Sequence, residues 1–289
     1  MFYFGPVSNL RVSIFSPVDQ LKDYVRRVLV TVGNEQTHEI MPIGPTGFPY
    51  FTYSRYPIVL HYRKEVIRSG EQLYISGQIR GEQPFFDVQG EFFHVGLELM
   101  PAVPWYLFHI PGERLVDTGL VFSQLQPSIA DDFKKVNKNE KDPKAIAGSL
   151  QQILIDLLPP SNPPILYIEK ALDMIYSRSG NLTVGEIIDA LHISGRHFRR
   201  QFSKVIGIGA KQYCKIIQFN TVFEAIQTGN ERMLYDLALK HGYYDHSHFI
   251  NDFKVYLGNS PRQFLQSDYS FLKNYLGSGP PTVTDQGYL

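Results

Sequence analysis

A repeat in the C-terminal third constrains the fold of this chain more than any other feature. Residues 197–213 read HFRRQFSKVIGIGAKQY, and residues 248–264 read HFINDFKVYLGNSPRQF. At a constant offset of 51 residues, Phe198 and Phe202 match two phenylalanines of the second copy. One histidine, one glycine and one glutamine recur in the same register. Such a repeat predicts two copies of one structural unit.

Each copy has the pattern of two short helices joined by a tight turn. An amphipathic segment precedes each turn, and the turns lie at 192–194 and 242–245. The second segment then carries phenylalanines at positions i and i+4, which predicts one buried helix face. Ser194 and Asp245 stand at the expected N-cap positions. Because the rest of the second helix is polar, the pattern predicts a helix-turn-helix in each copy.

The segment between the copies predicts a single linking helix. An apolar stripe runs through residues 212–229. At ~1.5 Å per residue, such a helix is roughly 27 Å long. A rod of this length suits two recognition helices held near the ~34 Å spacing of successive major grooves on one face of DNA.

These motifs resemble the C-terminal domain of the AraC/XylS family of bacterial regulators. The resemblance covers about 165–265 and rests on LTVGEIIDALHIS, HFRRQFSKVIG, DLALKHGYYDHSHF and GNSPRQF. It implies a sequence-specific transcription regulator that binds double-stranded promoter DNA, with RNA polymerase as a further partner. The segments PIGPTGFPYFTYS and GLELMPAVPWYLF are similar to sensory domains of some members. That similarity implies control by a small-molecule effector or by homodimerisation.

The resemblance assigns most base reading to the outward residues of the first recognition helix. In this chain they are Arg196, Arg199 and Arg200. Their spacing places all three on one helical face. Arginine is the commonest reader of guanine in the major groove. The alternative is a solvated helix face without a nucleic-acid partner.

The second copy has less base-reading chemistry. The matching residues are Ser247, Ile250 and Asn251, preceded by His246. The family commonly has arginine at the position of Asn251, and Asp252 adds a negative charge nearby. We therefore expect this copy to contribute shape fit and phosphate contacts more than base readout.

Four further side chains lie next to these positions. Lys211 and Arg262 lie just inside the helices that follow the two units, and they are expected phosphate contacts, with ordinary surface charge as the alternative. His197 and His248 precede the inward phenylalanines and are expected to pack at the domain edge.

The first half has a strand-like residue pattern in place of the helical one, and the two together predict an α+β fold for the whole chain. From 38 to 122, short β-branched and aromatic runs alternate with Gly and Pro, as in an antiparallel barrel or sandwich. Helical spacing predicts flanking helices over 17–32 and within 125–158. The predicted organisation is a β-rich domain over 1–158, a Pro-rich linker over 159–164, a double helix-turn-helix domain over 165–275 and a disordered tail over 276–289.

The β-rich domain is the expected place for an effector. Candidate pocket residues are Tyr62, Tyr74, Phe93 and Trp105, with plain core packing as the alternative. The histidines form no tight cluster, so no metal site is expected. Neither a cofactor motif nor a nucleophile elbow is present, so no cofactor and no enzyme activity are expected.

The amino-acid composition excludes few classes of function. The 28 Lys and Arg balance 28 Asp and Glu, and the single cysteine, Cys214, is expected to be a buried structural thiol. With neither a signal peptide nor a transmembrane segment recognised, a cytoplasmic protein without membrane contact is expected. Two alternatives remain open: an enzyme built on the β-rich half, and a DNA-silent relative that acts through a partner protein.

Overall fold

The computed structural model describes residues 10–42, 44–62, 65–70, 72–80, 85–158, 166–224 and 231–266. Within these ranges the fold is α+β, as predicted, with a β-rich half (residues 10–158) followed by a helical half (residues 166–266). The predicted linker, 159–164, and the predicted tail, 276–289, lie outside the described residues. The boundaries of the two domains therefore stay predictions.

The strands of the β-rich half form two antiparallel sheets. In chain order they are β1 (Arg11–Phe15), β2 (Val25–Gly33), β3 (His38–Pro42), β4 (Tyr50–Ser54), β5 (Ile58–Tyr62), β6 (Glu65–Ser69), β7 (Gln72–Ser76), β8 (Phe85–Gln89), β9 (Phe92–Leu99) and β10 (Gly119–Val121). One sheet has the order β1-β2-β9-β4-β7-β10, and the other has β3-β8-β5-β6. Over the described ranges both sheets are open, so of the two expected architectures the closed barrel is not formed.

The two faces of the larger sheet differ in chemistry. On one face, Phe51, Leu97 and Ile75 are opposed across three strands and fully buried. Two helices, α2 (Pro127–Asn137) and α3 (Pro143–Asp156), add further apolar side chains to this core. The opposite face carries mainly polar residues and meets the smaller sheet through Phe92, which packs with Ile58 and Val88.

The helix predicted over 17–32 is wrong. The segment forms only a 3-10 turn, Asp19–Leu21, before it enters strand β2. Strand β2 pairs with both β1 and β9, and its residues from Arg27 to Thr31 are buried on both faces. Leu29 is apolar on the face that otherwise carries Arg27 and Thr31, so its spacing with Leu21 and Val25 resembles that of a helix.

A short helix interrupts the β-rich run where a strand was expected. The WYLFHI segment lies largely in α1 (Val103–Phe108). Pro104 stands at the start of this helix, where its missing N–H costs nothing, and His109 ends the helix in the left-handed conformation with φ 55°. The helices expected within 125–158 are confirmed as α2 and α3.

The helical half contains the two predicted helix-turn-helix units. Its helices are α4 (Leu166–Ser177), α5 (Val184–Leu191), α6 (Gly195–Ile206), α7 (Ala210–Glu224), α8 (Glu231–Lys240), α9 (His246–Leu257) and α10 (Pro261–Gln266). Helices α5 and α6 form the first unit, and α8 and α9 form the second. The predicted linking helix is α7, and residues 225–229 of that prediction lie outside the described residues. Within the part of the chain that the structure describes, the helices are too short or too polar to span a bilayer.

Candidate DNA-binding surface

The first unit is fixed by strong local signals at both ends of α5. The Thr183 hydroxyl accepts a hydrogen bond from the Glu186 N–H, and the Glu186 carboxylate accepts one from the Thr183 N–H at 2.7 Å. This reciprocal capping box satisfies two N–H groups at the helix start. At the other end, His192 adopts φ 52°, the left-handed conformation that ends the helix and opens the turn.

Recognition helix α6 follows that turn and is anchored by its aromatic side. Phe198 and Phe202 are fully buried, with ring centres 5.4 Å apart. Burial of one such side chain stabilises the fold by ~1.5–3 kcal/mol. Gly207 ends the helix at φ 95°, a conformation that suits glycine. The predicted cap, Ser194, has the extended backbone of an N-cap but makes no side-chain capping bond.

The outward side of α6 carries the three predicted arginines. Arg196, Arg199 and Arg200 are all exposed. Among the described residues, no carboxylate forms an ion pair with any of the three. Three unpaired guanidinium groups on one helix face are an unneutralised positive surface, available to an anionic partner.

The second unit repeats the framework with different capping chemistry. Gly242 ends α8 at φ 89°, and the Asp245 carboxylate accepts a hydrogen bond from the His248 N–H at 2.7 Å. Phe249 and Phe253 are fully buried on the inner side of α9, and Gly258 ends the helix at φ 77°. The repeat found in the sequence is thus a repeat of structure.

The outward side of α9 is polar but not basic. His246, Ser247 and Asn251 are exposed, and Ile250 is half-buried. The His246 ring stacks on Tyr235, with the ring centres 4.8 Å apart and an angle of 23° between the planes. This stack holds the imidazole at the start of the helix, where the resemblance places a DNA contact.

The negative charge expected from Asp252 faces the protein rather than the outer surface. Its side chain is only 15% exposed, and its carboxylate lies 3.6 Å from the Lys215 amine and 3.8 Å from the His248 ring nitrogen. Burial, and after it the same carboxylate, raise the pKa of Tyr243 well above its usual range. Asp252 therefore helps hold α9 against α7.

The two histidines that precede the inward phenylalanines pack as expected. The His197 Nε2 atom lies 3.1 Å from the Tyr167 hydroxyl of α4. His248 lies 3.5 Å from the Lys215 amine of α7. Each recognition helix is thereby joined to the helix that precedes its own unit. Lys211 and Arg262 are exposed at the second positions of α7 and α10, as predicted.

Comparison with known proteins agrees with this geometry. Residues 187–267 match a family model described as a helix-turn-helix domain. The C-terminal region is an AraC-type helix-turn-helix domain. AarP of Providencia stuartii, an HTH-type transcriptional activator, is 31% identical over 75 residues, which are 26% of this chain and 55% of AarP. The chain thus matches about half the length of that relative. Neither match is to an enzyme.

Solved structures that align with most of this chain are distant in sequence. ToxT from Vibrio cholerae is 9% identical over 90% of this chain and 98% of ToxT, with a TM-score of 0.48. The AraC-like transcriptional activator CuxR is 12% identical over 81% of this chain and 87% of CuxR, with a TM-score of 0.28.

The AraC-type domain has one prominent surface residue that the sequence prediction missed. Tyr244 is 90% exposed and lies directly before the Asp245 cap of α9. Between the helices, the turn of the second unit (residues 241–245) is two residues longer than that of the first (residues 192–194), and Tyr243, also in this turn, is buried. Comparison of the two turn lengths would have shown the insertion before Asp245, and the structure then identifies Tyr244 as its outward residue.

The four effector candidates are not brought together. Tyr74 lies on the polar face of the larger sheet, where its hydroxyl accepts a hydrogen bond from the Gln72 amide at 2.6 Å. Phe93 lies in the core on the opposite face, and Trp105 packs against the first helix-turn-helix unit. Tyr62 ends strand β5, and its side chain lies outside the described residues.

The residues that the structure describes give little evidence for a metal-binding site or for a reactive thiol. Within those ranges, no group of three or more His, Cys, Asp or Glu side chains is placed to hold a metal ion. Cys214 is buried in α7, and burial raises the pKa of its thiol to about 11. The thiol is therefore protonated and unreactive near neutral pH.

Proposed function

We propose that this protein is a sequence-specific transcription regulator that acts on double-stranded promoter DNA in the bacterial cytoplasm. In this proposal Arg196, Arg199 and Arg200 enter the major groove on α6 and read bases. The observation that carries the proposal is the exposure of all three on one face, without a carboxylate partner among the described residues. Arginine pairs with guanine through two parallel hydrogen bonds, which makes such a face suitable for base readout.

The second unit fits a positioning role on the same DNA. Its outward face has no arginine, so its contacts would go mainly to phosphates and to groove shape. The proposed contacts of this kind are His246, Ser247, Ile250 and Asn251 on α9, with Lys211 and Arg262 at the starts of the following helices. Tyr244 adds a hydroxyl next to the start of α9, where a backbone phosphate is the expected acceptor.

The β-rich half fits a sensory role. The face of the larger sheet that meets the smaller sheet carries Tyr50, Thr52, Tyr74, His94 and Glu98. The Tyr50 hydroxyl donates to the Glu98 carboxylate at 2.8 Å, and burial lowers the pKa of His94 to about 4. Ligand pockets combine apolar and aromatic walls with a few polar groups that orient the ligand, and this face offers such polar groups. We therefore place the effector between the two sheets.

Homodimerisation through this half is the other proposed form of control, and RNA polymerase is a partner if the protein activates transcription. A thermal-shift screen of small molecules together with sedimentation of the full chain tests both forms of control. If the screen found no stabilising ligand and sedimentation showed no self-association, a sensory role for the β-rich half would be contradicted.

The DNA-binding proposal is tested with the double substitution Arg196→Ala and Arg200→Ala. We expect loss of sequence-selective DNA binding and loss of regulation of a reporter gene. The matched control is Arg178→Ala, because Arg178 is exposed in the same half but pairs with Glu186 at 2.8 Å and lies off the recognition helix. If the double variant still regulated the reporter, the protein would act through a partner protein instead.

A further inference from the structure

The carboxyl end of recognition helix α6 lies directly against the β-rich half. A 3-10 turn, Gly112–Arg114, meets the backbone of the last residues of the helix. A methyl group at position 112 would lie 2.6 Å from the Val205 carbonyl oxygen and closer still to the Gly207 nitrogen. One at position 207 would lie 2.5 Å from the Gly112 carbonyl oxygen. The two backbones thus touch with no side chain between them.

Side chains of the β-rich half also complete the core of the first unit. Phe48 and Ala102 are buried in the same cluster as Phe198 and Phe202. Beside them, the Lys204 amine of α6 lies 4.8 Å from the centre of the Trp105 ring, which is within cation–π distance. Three further side chains of the β-rich half pack at the edge of this cluster: Met100, Tyr106 and Val116.

The second unit depends much less on the β-rich half. Among the described residues, its buried core comes entirely from positions 219–264. Where the two halves approach there, a methyl group at Gly44 would lie 3.7 Å from Leu257, an ordinary van der Waals distance. The β-rich half is therefore joined closely to one recognition helix and only loosely to the other.

We propose that the β-rich half is part of the DNA-reading apparatus, with Gly112 and Trp105 as positioning residues that set the orientation of α6 relative to the second unit. This inference rests on the proposed function, because α6 must read DNA for its orientation to matter. A helix of 12 residues is ~18 Å long and moves as a rod, so a shift at Gly207 also displaces Arg196, Arg199 and Arg200.

The test compares Gly112→Ala with Gly148→Ala in the full-length protein. The added methyl group at 112 meets backbone atoms, which must separate by about 1 Å to reach the ordinary contact distance of 3.4 Å. The methyl group at 148 meets nothing within 4 Å, although Gly148 lies in the same half of the chain. We expect Gly112→Ala to weaken binding by about fivefold or more, the lower range of one bidentate arginine–guanine contact, and Gly148→Ala to leave it unchanged.

A second DNA probe separates positioning from general destabilisation. On a probe in which the half-site read by α6 is scrambled, Gly112→Ala and the unsubstituted protein should bind equally, because the lost contact is already absent. A general loss of folding would weaken binding to both probes and would contradict the proposal. Trp105→Ala provides an independent variant, because the Trp105 ring packs in the cluster of the first unit and not in the core of the β-rich half. It should reproduce the selective loss.

Hydrogen exchange without DNA reports the docking itself. The Gly207 N–H donates to the Ser203 carbonyl at 2.7 Å, and this amide should exchange faster in Gly112→Ala than in Gly148→Ala. If the unsubstituted protein binds selectively and Gly112→Ala behaves like it in both assays, the positioning role is wrong while the proposed function stands. If the unsubstituted protein shows no selective binding, the proposed function fails, and the positioning role fails with it.

Discussion

Arg200→Ala should reduce affinity for the preferred DNA site without changing the stability of the fold. Arg200 is exposed and has no ion pair to lose among the described residues, so the free energy of unfolding should change by no more than about 0.5 kcal/mol. A bidentate contact to guanine is worth ~1–3 kcal/mol, which corresponds to a roughly 5- to 140-fold increase in Kd. On DNA in which the base pair read by Arg200 is replaced, Arg200→Ala and the unsubstituted protein should bind with equal affinity.

The matching residue of the second unit should behave differently. Asn251→Ala removes a neutral contact to the backbone, which we expect to cost about 0.5–1.5 kcal/mol irrespective of the base sequence. Titration by fluorescence anisotropy on the selected site and on random DNA separates the two kinds of contact. Loss of the neutral phosphate contact at Asn251 should weaken binding to both DNAs equally and leave the salt slope unchanged, whereas loss of the Arg200 base contact relaxes specificity at one position.

Arg178→Ala is the control for charge alone. It removes the same positive charge from the same half of the chain, away from α6, and breaks an exposed ion pair worth ~0–1 kcal/mol. Equal losses of affinity for Arg178→Ala and Arg200→Ala would refute base reading by α6. So would a loss for Arg200→Ala that is the same on specific and random DNA.

Three further predictions concern surface, caps and pH. Tyr244→Ala should weaken DNA binding a few-fold with unchanged Tm, because the side chain is 90% exposed; Tyr244→Phe should show the same loss if the hydroxyl makes the contact. Thr183→Ala should destabilise the protein to urea by ~1 kcal/mol, whereas Ser194→Ala, which removes no capping bond, should cost less. Burial lowers the pKa of His94 to about 4 from the ordinary 6.5, so stability should fall by up to ~3 kcal/mol as pH decreases from 6.5 to 4. The sign follows because the unfolded chain binds this proton first, and His94→Gln should flatten the dependence.

Each of these three predictions has an outcome that would contradict it. Equal losses for Thr183→Ala and Ser194→Ala would show that the capping box contributes nothing of its own. An identical pH dependence in His94→Gln and the unsubstituted protein would assign the acid sensitivity to other groups. Normal DNA affinity of Tyr244→Ala, with regulation lost, would make Tyr244 a contact to a partner protein.

The helix-turn-helix units were predictable because their main signals occur twice. The paired phenylalanines and the glycines that end the recognition helices, Gly207 and Gly258, agree in both copies, so a misreading of one would conflict with the other. The positions of Arg196, Arg199 and Arg200 followed from the same helical period. What each of them contacts on DNA does not follow from period alone.

The β-rich half was predicted in kind but not in detail. Residues 17–32 were misassigned because Leu29 interrupts the alternation of the core valines with Arg27 and Thr31, and pairing with β1 and β9 identifies the segment as a strand. The docking of Gly112 on Gly207 joins positions far apart in the chain, and no periodic pattern signals such a contact. Trp105 was proposed as a pocket residue because the sequence shows its aromatic side chain. The sequence does not show that Lys204, far away in the chain, packs on that ring.

Selection of binding sites from a random double-stranded DNA library, with the full-length protein at a stated salt concentration, tests the proposed function most directly. We expect an enriched motif with two half-sites about one helical turn apart, in which the half read by α6 is strongly specified and the half read by α9 is weakly specified. The Arg196→Ala and Arg200→Ala double variant should lose the strong half. No enrichment over bulk DNA, or the same motif from the double variant, would contradict base reading by this helix.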